Sequence, residues 1–214
     1  MAISNVGFKT LMKTSLLSLS IIAALAFTAS AAEKKAVALH PTTQTFFISN
    51  VECDACVANI TESIKKVKSV TKVEKLTPKS GYANVSFDSH ADSFQQIAQA
   101  IADATPVHGK KYAASMKLRI PDYAKEDNAA KVDAIFAKSA AFVKVEATDK
   151  EKGEFLMSFL PLTVDAKKTG PQGWNGGRFG HPIHDAPPKG LGLTFSIVRE
   201  GATPAGKAAA KKRK

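Results

Sequence analysis

The chain has 214 residues, of which 44% are hydrophobic, 23% charged and 7% aromatic. That composition excludes a wholly disordered or fibrous protein, and two cysteines exclude a disulfide-rich scaffold. The net charge of +11 is concentrated at the ends, with Lys9 and Lys13 near the start and Lys207, Lys211, Lys212, Arg213 and Lys214 at the finish. The body between them is only mildly basic.

Residues 1–32 read as a secretory signal. Lys9 and Lys13 form a positive n-region, Leu16 to Phe27 an apolar stretch, and Ala29-Ser30-Ala31 a small-residue cleavage site. The apolar run falls short of the ~20 residues a membrane-spanning helix needs, although an uncleaved N-terminal anchor is the competing reading. No cysteine follows that run, so a lipoprotein anchor is not expected. The mature chain is expected to begin near Ala32 or Glu33 and to be exported to the periplasm or cell envelope.

Residues 43–49 are β-branched and aromatic and read as a strand. A polar loop, Asn50 to Cys56, leads into a helix whose apolar positions are Val57, Ile60, Ile64 and Val67, with Asp54 as the expected N-cap. A second strand is expected near Val70–Leu76, a turn at Pro78–Gly81, and a third strand through Ala83, Val85 and Phe87. Phe94, Ile97, Ala98 and Ile101 mark a second amphipathic helix. Ala114, Met116, Leu118 and Ile120 then alternate in a fourth strand. Strand, helix, strand, strand, helix, strand is the α+β ferredoxin-like order, one antiparallel sheet with both helices on one face.

Residues 121–200 read as a degenerate, β-rich second domain of the same kind. An offset of 72 places Ile48 on Ile120, Ile60 on Val132, Ile64 on Phe136, Gly81 on Gly153 and Phe87 on Phe159. Internal duplication and the chance likeness of two strand–helix–hairpin segments both fit this pattern. Where the copy needs its second helix, residues 169–192 hold eleven glycines and prolines, and a loop is expected instead. Trp174 and Phe179 are expected to pack over the sheet there. A last strand is expected at Leu193–Arg199. The tail, residues 201–214, lacks apolar anchors and is expected to be disordered, with its charge available to an acidic surface or partner.

Cys53 and Cys56 are the residues most suited to chemistry. Their spacing lets both sulfurs converge on one atom or on each other. Cys56 falls in the first turn of a helix, whose partial positive charge favours the thiolate. Soft thiolates on an exposed loop suit Cu(I), Zn(II) or other soft cations. Two ligands leave an ion under-coordinated and transferable, whereas a structural zinc site takes four. In an oxidising compartment the same pair can instead close a structural or redox disulfide.

Phe46–Cys56, followed by the βαββαβ order, resembles the heavy-metal-associated domain of copper chaperones, metal-transporting P-type ATPases and the periplasmic mercury-binding protein. Over residues 43–120 the resemblance implies one soft metal ion, Cu(I) first with Zn(II) or Hg(II) as alternatives, held by Cys53 and Cys56, and delivery to a metal-transporting membrane protein or another acceptor. The family's Gly-Met-x before the first cysteine is here Asn50-Val51-Glu52, with Val51 able to serve as the buried plug. Glu52 adds negative charge that opposes thiolate formation. Where the family places an aromatic or Lys near the metal, this chain offers His108, Lys110, Lys111 and Tyr112.

A thioredoxin-like oxidoreductase shares the Cys-x-x-Cys, but its Trp before the first cysteine and its downstream Pro are not evident. A weaker constellation, His181-x-x-His184 with Asp185, has metal-like spacing and would suit Zn(II) or Cu(II). The offset places Lys125 and Asn128 at the cysteine positions, so no soft-metal site is expected in the second copy. No catalytic nucleophile–base pair or phosphate-cradling loop is evident. The expectation is a monomeric metal-binding protein that is not an enzyme and does not bind nucleic acid.

Overall fold

A computed structural model describes residues 41–201. The signal and the basic tail read from the sequence lie outside the described residues. Eleven elements follow in order: β1 Pro41–Ile48, α1 Asp54–Lys65, β2 Lys72–Glu74, β3 Tyr82–Asp88, α2 Phe94–Ala102, β4 Ala114–Arg119, α3 Asn128–Ala137, β5 Val143–Asp149, β6 Glu154–Phe159, α4 Gly177–His184 and β7 Ser196–Ile197. No helix among the described residues is long and apolar enough to cross a membrane.

The first four strands lie in the order β2-β3-β1-β4, the ferredoxin-like arrangement, with antiparallel pairing throughout. Alternation puts Phe46, Ala83, Val85 and Met116 on one face, where Ile60 and Ile64 of α1 and Ile97 and Ile101 of α2 bury against them. α2 begins in a capping box, with Ser93 accepting from Gln96 N–H while the Gln96 side chain returns to Ser93 N–H. The first helix begins differently from the expectation. Its N-cap is Cys53, whose sulfur accepts from Cys56 N–H, and Asp54 is already the first helical residue.

The second half extends this sheet rather than closing one of its own. β6 pairs with the free edge of β4 and β5 with β6, so that one sheet runs β2-β3-β1-β4-β6-β5. The pairings repeat those of the first half at the offset seen in the sequence. Thr45 opposite Asn84 becomes Lys117 opposite Leu156, and Val73 opposite Val85 becomes Val145 opposite Met157. β4 therefore serves twice, as the last strand of one βαββαβ unit and the first of the next. Its other edge is divided, with Ala114 and Ser115 against β1 and Leu118 and Arg119 against β7.

Corresponding turns also match. Ile48 N–H donates to Gly81 O and Ile120 N–H to Gly153 O, both at 2.8 Å. Gly81 and Gly153 have φ of +62° and +63°, in the left-handed region. Their surroundings differ. A Cβ on Gly81 would lie 4.0 Å from Ile48 O, whereas one on Gly153 would lie 1.8 Å from Ile120 O.

The Gly/Pro-rich stretch is not wholly a loop. Gly177–His184 forms α4, with Pro182 inside it, in the place of the second unit's second helix. Tertiary burial overrides propensity here. Phe179 and Ile183, four residues apart, are both fully buried. Phe179 meets Trp174 edge-to-face at 5.0 Å, and Trp174 meets Phe94 at 5.8 Å and Phe159 at 6.0 Å. Each such ring pair adds about 0.5–1.5 kcal/mol beyond its area. The chain after α4 folds back to satisfy its carbonyls, Leu191 N–H donating to Pro182 O and Leu193 N–H to Ile183 O. The last strand is correspondingly short, only Ser196–Ile197.

Candidate metal centre

The site lies where β1 hands over to α1. Ile48 ends the strand, and Asn50 turns the chain with a φ of +63°. Asn adopts that region more readily than most residues because its short polar side chain can bond locally. Here Asn50 Nδ2 donates to Lys111 O at 2.8 Å, and Ser49 N–H donates to Ala113 O at 3.0 Å. These two bonds tie the cysteine loop to the loop before β4. Val51 is buried beneath the turn, in the position foreseen for a plug.

Helix geometry then brings the sulfurs together. Cys53 at the N-cap is half-buried and Cys56, one turn on, is fully buried. Both are free thiols, with Sγ atoms 2.9 Å apart. His108 Nε2 lies 3.3 Å from Cys53 Sγ. Among the described residues, Cys53, Cys56 and His108 are the one group of three or more such donors close enough to hold a single ion, all within 4.8 Å of one another.

The remaining candidates of that loop take other parts. Tyr112 is buried, accepts from Val107 N–H at 3.3 Å, and turns its hydroxyl to the sulfur of Cys56. Lys110 faces Glu52 at 3.8 Å, an exposed pair that offsets the acid beside Cys53. Lys111 contributes only its backbone carbonyl.

Burial pushes the Cys56 thiol up, but hydrogen bonds from Cys53, from the Tyr112 hydroxyl and at the backbone of Glu52 and Cys53 outweigh it, bringing it down to about 7. Cys53 is raised, chiefly because its thiol is bonded to Cys56. The pair therefore gives up one proton near neutrality and holds the second between the two sulfurs. A soft cation displaces that second proton.

The residues present fit a soft ion. With metal–sulfur distances of about 2.3 Å, a tetrahedral angle spreads two sulfurs to about 3.8 Å. That is about 0.9 Å wider than the present 2.9 Å, an opening that the half-buried Cys53 is better placed to supply than the buried Cys56. His108 would offer a nitrogen from the solvent side. His181 and His184 do not join this centre; they lie on α4 beside a separate cavity.

Residues 45–106 match the family model described as Heavy-metal-associated domain. Among solved structures, oxidized MerP from Ralstonia metallidurans CH34 is 30% identical over 35% of this chain and 96% of its own, with a TM-score of 0.30. A Bacillus anthracis str. Ames protein assigned copper-ion binding is 24% identical over 35% of this chain and 94% of its own, with the same score. The water-soluble region of the P-type ATPase CopA from Bacillus subtilis is 16% identical over 57% of this chain and 78% of its own, with a TM-score of 0.33. No curated protein matches the chain.

Proposed function

Because residues 45–106 form a heavy-metal-associated domain carrying Cys53 and Cys56, we propose that this chain is an exported carrier or scavenger of Cu(I). The observation that carries this reading is the convergence of two free thiols and the His108 imidazole at the start of α1. Two thiolates select a soft ion, and the imidazole completes a three-coordinate shell that monovalent copper accepts. Zn(II) would want a fourth ligand, and Hg(II) would be satisfied by the sulfurs alone.

The geometry also favours carriage over retention. Cys56 is buried and fixed, while Cys53 and His108 face solvent and can exchange partners one at a time. An acceptor with its own thiolates, such as a metal-transporting membrane protein, can take the ion through a shared-ligand intermediate. Nothing in this step requires a reaction at the ion, so the chain acts as a binding protein and not as an enzyme.

The test is metal content and free-thiol count on protein purified from the exported fraction without added reductant. One copper ion per chain is expected, lost in Cys53→Ser and in Cys56→Ser with the fold intact. No metal together with no free thiols would overturn the assignment in favour of a disulfide. Protein found only in the cytoplasmic fraction would overturn export alone.

A further inference from the structure

A cavity of about 690 Å³ opens beside α4 and is lined by three of the chain's five histidines, His90, His181 and His184. Gly177, Gly180, His181 and His184 stand at i, i+3, i+4 and i+7, a single helix face. Gly177 leaves that face bare beneath the His181 imidazole, whereas Gly180 lies against the Phe195 ring. A Cβ on Gly177 would lie 3.2 Å from Cδ2 and 3.4 Å from Nε2 of His181, which locates the Nε2 edge of that ring above the glycine.

Both rings are held through their other nitrogen. His181 Nδ1 faces Asp185 Oδ2 at 3.5 Å, and His184 Nδ1 faces the carbonyl of Leu193 at 3.3 Å. An acceptor at Nδ1 draws the ring proton there and leaves the Nε2 lone pair bare. A carboxylate or backbone carbonyl on the far nitrogen is the arrangement that orients metal-ligating histidines. Gln44 Oε1 and Asn175 Oδ1, on residues lining the same cavity, are buried acceptors without a hydrogen-bond partner.

We propose that His181 and His184 form a second metal site, distinct from the cysteine centre, for a borderline divalent cation of the Cu(II) or Zn(II) class bound through both Nε2 atoms. Imidazole nitrogen suits these ions, whereas the thiolate pair selects softer ones. The two sites thus differ in ligand class. Water fills the remaining coordination positions.

The probe is a copper(II) salt titrated into the purified chain carrying Cys53→Ser and Cys56→Ser, which removes the soft site. One Cu(II) per chain is expected by equilibrium dialysis, with nitrogen superhyperfine couplings in its electron paramagnetic resonance spectrum. His181→Ala or His184→Ala should abolish those couplings and weaken binding by about tenfold or more, while His40→Ala leaves both unchanged. Circular dichroism checks the fold, and the His181 side chain is 80% exposed, so its removal leaves the core intact. Absence of stoichiometric Cu(II), or spectra unchanged in both α4 variants, would overturn the site. Neither outcome bears on Cu(I) binding by the cysteines.

Discussion

The two βαββαβ units share their registers and differ at the first turn of their first helix. In α1 the N-cap is Cys53, and the loop's sulfurs bond to each other and to one amide. Those weak bonds yield to a metal. At the matching positions of the second unit, Lys125 pairs with Asp122 at 2.7 Å and Asn128 Nδ2 donates to Asp122 O at 2.9 Å. That loop has satisfied its polar groups internally, and α3 starts beyond it at Asn128, after an Asp127 that makes no side-chain cap. A binding loop and a closed loop are therefore set on one scaffold by two side chains and by where the helix begins. The fold supplies the position; donor groups left available to a ligand supply the function.

The glycine pair is the place to press this comparison hardest. Gly153→Ala is expected to cost about 3 kcal/mol or more, combining left-handed strain with a collision against the backbone of Ile120. Gly81→Ala, with space for a methyl, should cost only about 1 kcal/mol. Denaturant unfolding of the two variants measures the difference, and equal losses would mean that the units are packed alike.

At the metal centre, His108→Ala should weaken Cu(I) binding by about tenfold, roughly 1.4 kcal/mol, and leave the stoichiometry at one. Competition with a chelator reads this directly, and an unchanged affinity would remove His108 from the coordination shell.

Acidity gives a finer test. The Cys56 thiol, with a pKa of about 7, is thiolate above that pH and protonated below it, so metal binding should weaken as pH falls through neutrality. Tyr112→Phe removes one of the bonds that lower this pKa, and the thiolate absorbance midpoint should move to higher pH. A midpoint that stays put would show that the hydroxyl does not reach the sulfur.

The smallest effect is expected from Lys125→Cys with Asn128→Cys. Because α3 starts later than α1, these sulfurs straddle the loop instead of capping the helix. No second soft ion should bind by metal analysis. Tight binding there would mean that cysteine spacing alone makes the site.

Most of the first unit was legible in the sequence because its periods are clean. Ala83, Val85 and Phe87 alternate, and Ile60, Ile64, Ile97 and Ile101 recur at helical spacing; all are buried as that pattern requires. The offset of 72 was legible for the same reason. What it did not reveal is that β4 belongs to both units, since alternation names the buried face of a strand and not the neighbours on its edges. Helix α4 was hidden by its glycines and Pro182, although Phe179 and Ile183 carried the signal of a buried helical stripe. Cys53 and Cys56 stood out by their spacing and by their place between the first strand and the first helix. His108 could only be named among four candidates, because loop geometry, fixed here by Asn50 against Lys111, has no period to read.

The doubly used β4 also bears on how such a protein can change over generations. Domains strung on a linker can be shuffled, lost or fused to new partners one at a time. Here, a cut after Ile120 would strip β6 from β4 along five residue pairs and bare an apolar-backed edge that invites edge-to-edge association. A cut before Ala114 would leave β1 without its pairing to β4. Either cut through this chain thus exposes a strand edge that the other half covers. The cysteine centre and the histidine-lined cavity of α4 thereby share one sheet, and in this chain the two are inherited together.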